Sequence, residues 1–235
     1  MPLHLPGSLI LGPRAASAAA PATLIAYLTS IGKDSFYARF LAGEAMTVNS
    51  DGSGGAVADG GAVGRWSAFQ SSNYSARFAQ ATAAARPGYG ASRDGKPGIF
   101  GNVSSWFMAL DSTTANNQSF TLLASGWMVM QNASWVSQQS QGIAIKTASG
   151  NGADTAFMNG AINNTTPQVW RKSLSGDNNS LRMGVTITSS GHHNAAMNLW
   201  RRSTATEHSS STLHELWFVP VLTVSEIAAA LNYLA

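Results

Sequence analysis

A chain of 235 residues is long enough for one large β-domain, and its 11% charged residues fall well short of the roughly 25% usual in globular proteins, so long solvent-facing helices are a poor fit. The net charge of +3 comes from 14 Lys+Arg against 11 Asp+Glu, with no basic run beyond Arg171-Lys172 and Arg201-Arg202, which argues against a nucleic-acid footprint. With zero cysteines, disulfides, iron–sulfur clusters and thiolate zinc sites are excluded, and packing alone must hold the fold.

Residues 1–22 are rich in Pro, Gly and Ala without a clear period, and read as an extended N-terminal arm preceding a domain over 23–235. The arm lies either against a partner or back over its own domain. A signal peptide is not expected, because no basic n-region precedes the apolar patch and Pro6, Gly7, Gly12, Pro13 and Arg14 interrupt it. No segment reaches the ~18 consecutive apolar residues of a membrane span. Pro21 to Ile31 suits a short helix stopped by Gly32, or an opening strand. Residues 49–64 carry six glycines and read as a long loop, a length usually functional or mobile.

Beyond Gly101 the period of two is clear. Leu181, Met183, Val185 and Ile187 alternate with Arg182, Gly184, Thr186 and Thr188, and Met197 and Leu199 alternate with Asn198 and Trp200. The two runs predict a hairpin with one wet face. Shorter runs at Phe120–Ala124, Trp127–Met130, Gly142–Thr147, Val169–Ser173 and His214–Val219 predict a sandwich or barrel. Thr223 followed by Glu226 is a capping-box pattern, and Ile227, Ala230, Leu231 and Leu234 recur at helical spacing, which predicts a short terminal helix packed on the sheets.

Three landmarks in order resemble the laminin-G-like, concanavalin A-like modules of bacterial and phage proteins. Trp66 with Gln80, Arg86, Pro87 and Tyr89 is the first, Gly95-Lys96-Pro97 the second, and His214-Glu215-Leu216-Trp217-Phe218 with Leu222 to Glu226 and Tyr233-Leu234 the third. The resemblance spans residues 60–235. It implies an all-β fold, a two-sheet antiparallel jelly-roll sandwich with a short C-terminal helix. Where such modules have an acidic turn after the tryptophan, this chain has Ala68-Phe69-Gln70-Ser71-Ser72-Asn73, and Phe100-Gly101-Asn102 replaces a second acidic step. Both changes remove carboxylates, which calcium prefers, so no metal or other cofactor is expected.

Catalysis finds little to work with. A glycosidase needs two carboxylates facing one sugar, about 5–5.5 Å apart for retention, which on a strand means acids two or four residues apart. Of the four glutamates, Glu215 and Glu226 have structural readings, and Glu44 and Glu207 stand alone. His192-His193 point opposite ways on an extended chain and read as turn decoration, and His4, His208 and His214 have no ligand spacing. No Gly-x-Ser-x-Gly elbow exists. The chain is expected not to be an enzyme.

Of the seven tryptophans, Trp66 and Trp217 read as core. Trp200 alternates onto the polar face with Asn198, and Trp135 lies in a polar stretch near Asn132. Rings flanked by amides can stack on a sugar while the amides bond hydroxyls, so these four are the candidate glycan platform, a subunit contact being the other reading. With the resemblance, this points to a non-enzymatic virion structural or appendage protein (capsid decoration, head fibre or tail-associated) whose arm docks on other virion proteins. A homo-oligomer is expected, with cell-surface glycan as ligand and neither nucleic acid nor membrane as partner. The alternatives are a free carbohydrate-binding module, bacterial surface-bound or secreted, and a glycan-cleaving enzyme whose acids come from distant loops.

Overall fold

A computed structural model describes residues 22–71, 76–92, 95–101, 108–113, 119–128, 134–138, 144–147, 154–158, 161–162, 168–172, 180–187, 197–199 and 211–234, several of the strands from 108 onward in backbone only. The expected arm, residues 1–22, lies outside them except for its last residue.

The described chain opens as a helix. α1 (Leu24–Ser30) is capped by Thr23, whose hydroxyl accepts from the Ala26 amide at 3.2 Å, and buries Leu24 and Leu28 four residues apart. It ends where the Gly32 and Lys33 amides fold back onto the Thr29 and Leu28 carbonyls. This decides between the two readings of 21–31 in favour of the helix.

Strands then follow in chain order: β1 (Ala38–Leu41), β2 (Met46–Thr47), β3 (Arg65–Ser67), β4 (Phe69–Gln70), β5 (Ala76–Ala79), β6 (Gly88–Ala91), β7 (Pro97–Phe100), β8 (Met108–Thr113), β9 (Phe120–Met128), β10 (Ser134–Gln138), β11 (Ala144–Thr147), β12 (Asp154–Met158), β13 (Ala161–Ile162), β14 (Gln168–Lys172), β15 (Ser180–Ile187), β16 (Met197–Leu199) and β17 (Ser211–Val219). A 3-10 turn, Ala83–Ala85, lies between β5 and β6, and helix α2 (Val224–Ala230) and a second 3-10 turn, Leu231–Tyr233, follow β17.

Among the described residues these strands form two antiparallel sheets. The first runs β14-β15-β9-β17-β1-β4, with β7 also on β17 and β6 on β7; the second runs β13-β12-β11-β10-β16-β8-β5-β3-β2. β17 changes partner along one side, pairing through Thr212 and Leu213 with β7 and through Glu215 to Phe218 with β1. The register shift on its β9 side falls at the same place, between Leu213 and Glu215.

Between the sheets lies an apolar core drawn from both. Ala38, Phe40, Phe120, Leu122, Met183, Val185, Leu216 and Phe218 come from the first sheet, and Met46, Trp66, Phe78, Met108, Leu110 and Leu199 from the second. Its centre is aromatic, with Phe40 at 5.2 Å from Trp66, 5.0 Å from Phe78 and 6.1 Å from Phe218 between ring centroids. Tilted and edge-on rings at these separations add to the value of the area they bury.

The first sheet is covered on its other face as well. Leu123, Trp217 and Val219 pack under Leu24 and Leu28 of α1 and under Ile227, Ala230, Leu231 and Leu234. The expected capping box is present, the Glu226 amide donating to the Thr223 hydroxyl and the Thr223 amide to the Glu226 carboxylate. A buried polar knot fixes the approach to α2: Thr186 Oγ1 donates to the Leu222 carbonyl, the Leu222 amide donates to Thr121 Oγ1, and the two hydroxyls lie 2.7 Å apart. Gly184 passes directly beneath α2, and a Cβ there would collide with Ile227 and Leu123.

Three expectations from the sequence are corrected. Residues 181–187 and 197–199 are not a hairpin: β15 pairs with β14 and β9 in one sheet, and β16 pairs with β10 and β8 in the other. Met183, Val185 and Leu199 meet the same core from opposite sides, a result that alternation alone does not distinguish from a hairpin. The polar side of β15 is also not wet, because Gly184 and Thr186 are buried and Arg182 Nη1 donates to the Leu231 carbonyl. The run at 120–124 continues without a break through Trp127 and Met128 as β9, buried on both faces because the sheet is covered on both, while residues 129–130 lie outside the described residues.

Stacked rings join α1 to the C-terminal turn. Tyr27 and Tyr233 stack at 5.4 Å, and the Tyr27 hydroxyl donates to the Glu226 carbonyl. Burial, followed by the Glu226 carboxylate and then Tyr233, raises the Tyr27 pKa above the ordinary phenol value. Because the folded pKa is the higher one, this contact contributes fully below the unfolded value of about 10 and is lost as pH rises through the folded value. We expect alkaline unfolding to show this loss and Tyr27→Phe to remove it. Identical stability profiles for the two proteins above pH 10 would contradict the assignment.

Candidate functional site

Of the residues expected to form a platform, Trp200 and Asn132 lie outside the described residues. Trp135 and Asn198 are placed through their backbone only, on the adjacent strands β10 and β16, where Asn198 is opposite Ser137. Sequence landmarks of the resemblance do structural work instead. Trp66 is fully buried and its indole donates to the Leu41 carbonyl; Arg86 donates to the Gln80 and Ala81 carbonyls; Trp217 donates to the buried Glu215 carboxylate at 2.7 Å.

One group of described side chains that combines exposure with polar chemistry lies where the chain passes twice between the sheets. One passage is the turn 42–45 linking β1 to β2, and the other is Ala68 between β3 and β4. In β1, Ala38 and Phe40 enter the core, so the alternate residue Arg39 lies on the opposite face of the first sheet, directly across from Trp217. On the other side Arg39 is paired with Phe69 of the edge strand β4.

This cross-strand row makes an aromatic step. The Arg39 guanidinium lies 5.6 Å from the Phe69 ring centroid and 5.9 Å from that of Trp217, within cation–π range, and forms an ion pair with Glu44. Its Nε has no hydrogen-bond acceptor among the described residues. Tyr37 stacks on Phe69 at 6.1 Å and lies 6.2 Å from Trp217. Trp217 is the buried floor, and Phe69, 55% exposed, is the tread.

Beside the step opens a cleft of about 530 Å³, within the usual range for small-molecule sites. Gly43 and Ala45 line it on either side of Glu44, so one turn serves both features. The rest of its wall comes from β2, β3 and the glycine-rich stretch expected to be a loop. Here that stretch is tied down by backbone bonds from Val48 to Gly55, Asn49 to Ser53, Gly60 to Tyr89 and Val63 to Pro87. Gly52, at φ +95, lies against Arg65, where a Cβ would come within 2.9 Å of Nη1.

Polar groups in the cleft are already oriented. Arg65 Nε donates to Ser67 Oγ at 2.9 Å and Nη1 to the Asp51 carbonyl at 3.2 Å. The Asp51 carboxylate accepts from the Ser53 amide at 2.8 Å, and this bond above all, with the Ser53 hydroxyl and the Arg65 charge assisting, holds its pKa below the usual aspartate value. Thr47 donates to the Asn49 carbonyl. Among the described residues no three His, Asp or Glu side chains gather as metal ligands, and no described helix is long and apolar enough to cross a membrane.

No family model, curated protein or solved structure matches this chain. The reading of its site therefore rests on its own residues. One of them corrects the sequence analysis directly, since Phe69 belongs to an edge strand instead of a turn, and Glu44, read as lacking a second carboxylate, forms an ion pair with Arg39. The alternation of Phe36, Ala38 and Phe40 with Tyr37, Arg39 and Leu41 was the available signal for this step.

Proposed function

We propose that the chain is a non-catalytic binding module, a jelly-roll sandwich of the concanavalin A-like and laminin-G-like kind, whose ligand is a cell-surface glycan. The observation that carries this reading is the exposed Phe69, set beside Arg39 and Tyr37 on a step that shares the turn 42–45 with a polar cleft. An exposed ring offers a face for sugar C–H groups, and fixed polar neighbours offer partners for hydroxyls. We further propose that the module belongs to a virion decoration, head fibre or tail structure as a homo-oligomer, with residues 1–22 as the attachment to other virion proteins. Its support is the sequence resemblance and the arm's composition.

Binding of the purified protein to immobilised glycans tests the module. Phe69→Ala should weaken binding by about 1–3 kcal/mol, the range of aromatic anchors, with little change in folding stability. Trp200→Ala and Trp135→Ala, measured alongside, decide whether the second sheet contributes a platform with Asn198 and Asn132. If all three variants bind as the parent does, both aromatic surfaces are ruled out. Removal of residues 1–22 should abolish incorporation into particles at unchanged thermal stability, and a matching loss of stability would make the arm part of the domain.

A further inference from the structure

We propose that the cleft lined by the turn 42–45 and β3 is a subsite for a vicinal diol of a neutral sugar, with Arg65 donating to one hydroxyl and the Asp51 carboxylate accepting from its neighbour. This deepens the glycan-binding reading and rests on it. Both groups line the same cavity and are joined through the bond from Arg65 Nη1 to the Asp51 carbonyl. After its two bonds the guanidinium still carries N–H groups with no acceptor among the described residues. A carboxylate is an acceptor only, so the pair presents a fixed donor beside a fixed acceptor. Adjacent hydroxyls of a pyranose match that pattern, because each can donate to one group and accept from the other.

Charge sets the class of sugar. Arg65 is balanced by Asp51 in the cleft, and Arg39 by Glu44 on the adjoining turn. A uronate or sialate carboxylate entering here would meet the Asp51 carboxylate as well as Arg65, and would gain no net attraction while losing its hydration. A neutral saccharide bears no such cost. Met46, Val57, Ala45 and Ala56 supply the apolar lining against which its ring can lie.

The test is a panel of neutral gluco-, galacto- and manno-configured oligosaccharides with their sialylated and uronic acid counterparts, titrated against the whole chain. Neutral members should bind more tightly than acidic ones, and periodate oxidation of the immobilised neutral glycans, which cleaves vicinal diols, should remove binding. Asp51→Asn and Arg65→Ala should each weaken binding by about tenfold or more, the equivalent of one hydrogen bond to a charged group. Thermal melting of each variant checks that the loop remains folded, and Arg65→Lys, which keeps the charge without the fork, should recover binding only in part. If Phe69→Ala abolishes binding while both cleft variants bind normally, the platform stands and the diol subsite falls. Tighter binding of acidic glycans would overturn the neutral assignment, and an absence of binding across the panel would overturn both.

Discussion

Replacing Trp66 with alanine is expected to destabilise the protein by about 3–5 kcal/mol, the range measured when large aromatic rings are removed from cores. Trp66 has no exposed surface, stands at the aromatic centre beside Phe40, and joins the second sheet to the first through the bond from its indole to the Leu41 carbonyl. Truncation thus opens a cavity and removes one of two donors to the Leu41 carbonyl, which also accepts from the Glu44 amide. Trp66→Phe should retain most of the packing and lose about 1 kcal/mol for the hydrogen bond, more where the smaller ring leaves a void. Chemical denaturation measures both. A loss under about 1 kcal/mol for the alanine variant would mean that the two sheets do not share this core.

The second large effect lies on the other side of the first sheet. Leu231, the first residue of the C-terminal turn, is fully buried against the first sheet, and Leu231→Ala should cost about 2–4 kcal/mol. Gly184→Ala probes the same layer from beneath with the opposite defect, since the added Cβ forces Ile227 and Leu123 apart; overpacking of this kind costs about 1–3 kcal/mol. The two variants should not behave additively, because the cavity left by one gives α2 room to accommodate the other. An effect of Leu231→Ala below about 0.5 kcal/mol would show that the helix is not docked.

Features encoded within a few residues were legible in the sequence. Thr223 and Glu226 carry the capping box in their spacing, and the stripe of Ile227, Ala230, Leu231 and Leu234 gives the buried face of the helix that follows. Burial of Trp66 and Trp217 also agreed with the sequence. Partner choice was not legible, because alternation in 181–187 states which residues share a face and says nothing of which strand lies alongside. The site was legible only in fragments. Glycines marked 49–64 as a loop, but the cleft exists because that loop closes over Arg65, and Phe69 became an exposed aromatic only once β4 was placed at the sheet edge beside Arg39.

The pairing of β1 with β17 places Ala38 opposite Phe218, and α1 packs in the same layer as α2. During synthesis, α1 and one side of β1 emerge early but lack their partners until the last strand and helix follow, although β4, Trp66 and Phe78 meet β1 sooner. Closure of the first sheet is thus a late event with a large loop-entropy cost, which predicts slow folding and a vulnerable interval on the ribosome. The same arrangement brings the two ends of the described chain into one layer. A circular permutant that joins them would make that closure local and should fold faster than the parent.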